Sequence, residues 1–166
     1  MTASPLRSLE RLLDEVEALA GGGPAALGRR EPSVSEWSVA QHADHVAKVA
    51  RWFLKGAASD WRAPEGTPGI SLSGRFVLLT GWIPRGRGRA PEPVRGVEAD
   101  AATLVSELAV CRELIERVHA GAGLATGGPL ALVHPLFGGL TAEQGVRFAA
   151  VHTRHHLKIV RDIESA

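Results

Sequence analysis

With 166 residues, 45% of them hydrophobic and 22% charged, the chain can bury a self-sufficient core and is too apolar for a disordered segment. Basic residues bunch at Arg85, Arg87 and Arg89 with no interleaved aromatics, and a phosphate-tracking protein needs a broader basic face, so no nucleic-acid partner is expected. No apolar run reaches the ~20 residues of a membrane span, and Met1 to Leu13 lacks the apolar stretch of a secretory signal, so a cytoplasmic protein of one domain, residues 1–166, is expected.

The first helix is expected to start at Ser4-Pro5, with serine as N-cap and proline at the first helical position. Leu6, Leu9, Leu12, Leu13, Val16 and Leu19 then recur at three- and four-residue steps, the period of one buried stripe. Gly21-Gly22-Gly23-Pro24 ends it, because a glycine run followed by proline cannot sustain helical hydrogen bonding. A second helix opens at Ser38-Val39-Ala40-Gln41, a capping box, and runs to about Lys55 with Ala43, Val46, Val49, Ala50 and Phe53 inward.

From Gly56 to Gly96 the chain is rich in Pro, Gly and Arg, with a short helix expected within Leu72 to Trp82. A connection of this length suits a crossover rather than a hairpin between neighbouring helices. The third helix begins near Asp100 and carries Leu104, Leu108, Cys111, Ile115 and Val118 in a heptad-like seam. Cys111 is the only cysteine, so no internal disulfide can form, which suits a reducing cytosol, and its place on the seam reads as core. Gly121 to Pro129 breaks the helix. A second capping box, Thr141 to Gln144, opens the fourth, which continues to about Glu164. The expectation is an all-α four-helix bundle with a long crossover connection and no sheet.

Seven histidines are an excess for this length, and five fall in two helical clusters. His152 and His156 are four apart, one turn along one face, and that face also carries Ala149, Ile159 and Ile163. Two inward imidazoles without partners would cost desolvation, and one divalent ion held at ~2.0–2.1 Å satisfies both. A third ligand should come from another helix. His45 lies on the apolar stripe with Val49 and Phe53, whereas His42 sits at its edge as a neighbour or hydrogen-bond partner. His45, His152 and His156 are therefore the expected metal ligands. His155 points about 100° away from the pair. His119 stands near a helix end, where a cation suits the dipole. His134 precedes Pro135 in a loop. Thr153 occupies the position of a zincin's general base, and neither a di-iron Glu-x-x-His pair nor a nucleophile elbow occurs.

Trp37-Ser38-Val39-Ala40-Gln41 with His45 eight residues after the tryptophan, and the block His152 to Leu157, resemble the signatures of the DinB-like (YfiT-like) superfamily. His134-Pro135-Leu136-Phe137-Gly138 is similar to a subgroup with an HP-x-F-G block before its last helix. The resemblance spans about Leu6 to Ile163. It implies a four-helix bundle with a long crossover and an open three-histidine site on His45, His152 and His156. It also implies zinc or nickel as the ion, a structural role for Trp37 at the start of the second helix, and a homodimer. Relatives include transferases and isomerases that use low-molecular-weight thiols.

The leading functional expectation is a metal-dependent enzyme of the thiol-transferase or hydrolase type acting on a small molecule. Three neutral imidazoles leave a coordination position open, as in catalytic zinc sites. Gln41, Asp44 and His155 are candidates for supporting the ligands, each with a plainer alternative as a cap or surface residue. The alternatives are a non-catalytic metal- or small-ligand-binding bundle of a stress response, and a bundle with core histidines and no metal.

Overall fold

The computed structural model describes residues 4–86, 89–121, 124 and 127–166. Among them are six α-helices: α1 (Pro5–Ala20), α2 (Gly23–Leu27), α3 (Val39–Ala57), α4 (Leu72–Thr80), α5 (Ala101–Ala120) and α6 (Ala142–Ser165). Two short strands, β1 (Leu130–His134) and β2 (Gly138–Thr141), precede α6.

The long helices begin where their caps dictate. Ser38 Oγ accepts the Gln41 N–H while the Gln41 side chain accepts the Ser38 N–H, and Thr141 and Gln144 repeat the arrangement at α6. Each pair satisfies two donors that a helix start would otherwise leave open. Asp100 caps α5 through Thr103 N–H. Ser4 stands at the cap position of α1, but its side chain makes no capping bond, so Pro5 alone marks that start. The glycine run ends α1 at Ala20 as expected. Pro24 then starts the one-turn α2, since proline's fixed φ suits a first helical turn.

The bundle consists of α1, α3, α5 and α6. Helices α3 and α6 pack together, each of α1 and α3 also packs on α5, and α1 packs on α6. Leu9, Leu13, Val16, Val46, Phe53, Leu54, Leu104, Leu108, Val146 and Ile163 fill the centre and are almost fully buried. This removal of apolar surface from water supplies the main stabilising term. Cys111 is buried among them. The crossover between α3 and α5 carries α4, which rests on α6, and a single 3-10 turn at Glu92–Val94. No helix among the described residues is long and apolar enough to cross a membrane.

The structure corrects the expectation of no sheet. β1 and β2 form an antiparallel hairpin, with His134 opposite Gly138 and Leu132 opposite Leu140. The expected loop at His134-Pro135 is thus the end of a strand and its turn. Gly138 makes the turn possible: its φ is +75°, and a Cβ there would lie 2.7 Å from the Gly69 carbonyl oxygen. Two strands this short, divided by Pro135, leave too few residues for an alternating pattern to stand out.

Candidate metal centre

The adjacency of α3 and α6 brings the histidines of both helices to one place. Donor nitrogens of His45, His152 and His156 all lie within 4.8 Å of one another, so the three could hold a metal ion. His45 is buried and the other two are half-buried, which sets the group at the edge of the core. His45 Nε2 and His152 Nε2 are 3.1 Å apart. That separation is short enough for one ion to be held by both at ordinary metal–nitrogen distances of ~2.0–2.1 Å.

Protonation decides whether these nitrogens can act as ligands. The Val94 carbonyl lies 2.5 Å from His45 Nδ1. A carbonyl can only accept, so Nδ1 carries the proton and Nε2 presents its lone pair to His152. Burial pushes the pKa of His152 and His156 well below the usual imidazole range, with the neighbouring histidines adding to the effect. Burial lowers His45 too, partly opposed by its bond to Val94. All three rings are therefore neutral near pH 7, the state a metal requires. Two bare Nε2 atoms 3.1 Å apart would repel, so either a proton or a cation must sit between them. His152 Nδ1 is buried with no hydrogen-bond partner among the described residues.

The surroundings differ on the two sides. On one side, Trp37 covers the cluster, with its ring 5.2 Å from that of His45 and stacked at 6.3 Å on that of His156. Its expected role as a packing residue at the start of α3 thus extends to the rings themselves. On the other side, Phe148 lies 5.8 Å from His152 and leads into Phe53, Phe137 and His134. His134 stacks on Phe137 at 4.6 Å, and its Nδ1 accepts the Leu136 N–H, so it belongs to an aromatic wall and not to the triad.

The remaining candidates sort by their contacts. His42 is buried, not at an edge, and meets both His156 and Ser35. Sequence spacing placed it beside the stripe, and only the approach of α6 and of the loop before α3 gives it partners. His155 sets its ring edge-on to His156. Gln41 is a cap. Asp44 is buried and accepts from Lys48 Nζ and from Val97 N–H. His119 pairs with Glu10 far along the bundle. Arg85 pairs with Asp162, Arg89 is exposed, and Arg87 lies outside the described residues.

Helical architecture, two histidine-bearing helices in contact and a three-nitrogen cluster at their interface agree with the sequence signatures. The profile of the DinB superfamily matches residues 8–160. The chain belongs to the DinB superfamily. No curated protein and no solved structure matches it. Within this DinB chain, the three histidines that the resemblance implies as ligands lie together as a group that could hold a metal ion.

Proposed function

We propose that this DinB-superfamily protein binds one divalent metal ion through His45, His152 and His156 and uses it in a metal-dependent reaction of the thiol-transferase or hydrolase type. The observation that carries the reading is the triad itself: three neutral nitrogens within 4.8 Å of one another, drawn from two helices. Zinc or nickel suits an all-imidazole donor set. When bound, such an ion supplies Lewis acidity and lowers the pKa of a coordinated water or thiol. The protein's own residues do the rest. His45, held by Val94, aims its lone pair inward, and Trp37 and Phe148 exclude water from the two sides of the cluster. The substrate in this reading is a small molecule, and a low-molecular-weight thiol fits the family. A homodimer and a cytoplasmic location belong to the same proposal. Leu72, Phe76, Leu79 and Trp82, exposed on and beside α4, offer an apolar surface for a second copy.

One observation favours a non-catalytic binding protein instead. Asp44, the carboxylate that acts on His45, is buried and its Oδ2 already accepts from Lys48 and Val97, so it serves the fold rather than standing free as a general base.

Elemental analysis of protein purified without an affinity tag tests the metal, with about one zinc or nickel per chain expected in the wild type and loss in His156→Ala. A metal-free wild type that also fails to take up added zinc would overturn the reading. Consumption of thiol conjugates or activated esters by the wild type, absent in His156→Ala, then separates enzyme from binding protein.

A further inference from the structure

We propose that the stretch from Val94 to Glu98 is a strap that holds His45 in its metal-binding tautomer, and that Asp44 is the positioning residue that seats it. The proposal rests on the metal reading only for its consequence, since the hydrogen bonds themselves belong to the metal-free chain.

The strap has little apolar burial of its own. Val94 is half-buried against the core and Gly96 is buried, whereas Arg95, Val97 and Glu98 are exposed. Polar pins therefore do much to decide where it lies, and apart from Arg30 in the preceding loop they reach residues of α3 or its cap. Ser38 Oγ donates to Glu98 Oε2 at 2.9 Å, and Arg30 pairs with the same carboxylate. Val97 N–H donates to Asp44 Oδ2 at 2.9 Å. Lys48 Nζ donates to Asp44 Oδ2 at 2.6 Å and to the Arg95 carbonyl at 3.3 Å. Gly96 presses against the helix so closely that a Cβ would stand 2.1 Å from the Gln41 carbonyl oxygen. Ser38, Gln41, Asp44, His45 and Lys48 follow one another at helical spacing, so the contacts form a single line down α3.

At the level of His45 the strap offers one group, the Val94 carbonyl, 2.5 Å from Nδ1. Asp44 is 1% exposed, and its charge is compensated by the Lys48 ammonium and the Val97 N–H. Were it present only as an ion pair, the carboxylate would not need to reach the strap backbone. Its second bond fixes Val97, three residues from Val94, and so the height of the carbonyl over the ring. Outer hydrogen bonds of this kind orient ligating histidines and tune their affinity.

The test uses full-length protein, stripped of metal and labelled with 15N-histidine. Long-range proton–nitrogen correlation spectra of the wild type should show His45 with its proton on Nδ1 and a bare Nε2. Gly96→Ala must lift the strap from Gln41, and Asp44→Ala removes its anchor. Both should turn His45 into a tautomer mixture and weaken zinc binding, measured against a competing chelator, by about 10–100-fold with helix content unchanged. Asp44→Asn keeps an acceptor for Val97 N–H and should restore most of both readouts. Should Asp44→Ala fail to fold, Gly96→Ala and Asp44→Asn carry the comparison. An unaltered His45 tautomer and zinc affinity in Gly96→Ala would overturn the strap while leaving the metal reading intact. A tautomer change in a chain that never binds zinc would support the strap and reject the metal.

Discussion

His42 Nδ1 lies 2.9 Å from His156 Nδ1, and His42 Nε2 lies 3.0 Å from Ser35 Oγ. These three side chains form a line from the loop before α3 to a candidate ligand on α6. If His42 Nε2–H donates to Ser35, its Nδ1 is bare and accepts from His156 Nδ1–H. His156 Nε2 is then the free lone pair. The same logic that Val94 imposes on His45 is thus available to His156 through a side chain.

This arrangement sets an expectation for His42→Ala. Zinc affinity should fall by about 10–100-fold, because a ligand loses its orienting partner and not its donor atom. His156→Ala should be worse, since it removes the donor. Chelator-competition titrations rank the three proteins, and equal affinity in His42→Ala and wild type would reduce His42 to packing.

Metal binding should also appear as stability. At zinc a hundredfold above Kd, a single native-state site adds about 2.7 kcal/mol. Thermal or urea melts with and without zinc would show the shift in wild type and its loss in His152→Ala. No shift in the wild type would count against the site.

The pH dependence of the metal-free protein follows from the buried rings. Burial pushes His42 down to about 4 from the ordinary 6.5, and His152 and His156 well below it. Below about pH 6.5 the unfolded chain takes up protons on these histidines and the folded chain does not. Stability is therefore full above that pH and falls as the pH drops from about 6.5 toward 4, by up to ~1.4 kcal/mol per pH unit for each resisting ring. Urea melts between pH 7.5 and 4.5 measure the slope. A flat profile across about pH 6.5 to 5 would contradict the burial argument.

Ser38 couples the helix cap to the strap, since its Oγ accepts from Gln41 N–H and donates to Glu98. Ser38→Ala should cost about 1–2 kcal/mol in chemical denaturation, the upper range for a cap, because the buried hydroxyl serves Glu98 as well as the helix start. A loss near zero would mean that water or Gln41 replaces the hydroxyl.

Cys111 is buried on α5 with its thiol pushed up to about 12 by that burial, and its Sγ–H faces the Ala47 carbonyl at 3.5 Å. It should resist thiol-specific reagents at neutral pH until denaturant is added. Rapid labelling of the native protein would show that α5 opens readily.

Much of this protein was legible along the chain, for reasons that lie in local physics. Helical starts at Ser38, Asp100 and Thr141 follow from side chains capping their own backbone, and the stripes on α1, α3, α5 and α6 follow from a period of 3.6 residues. The i, i+4 spacing of His152 and His156 placed two imidazoles on one face before any packing was known. What the period could not supply was anything across helices. That α3 lies beside α6, so that His45 meets His152 and His42 meets His156, is a property of the packed bundle. The Val94 carbonyl, Gly96 against Gln41 and the second bond of Asp44 carry no sequence pattern, because backbone groups are identical at every position and acquire a role only by where the chain is laid. The hairpin before α6 likewise depends on contacts with α3, α6 and the crossover. Spacing along one helix chose the kinds of residue; the meeting of two helices and a loop chose which nitrogen each would offer.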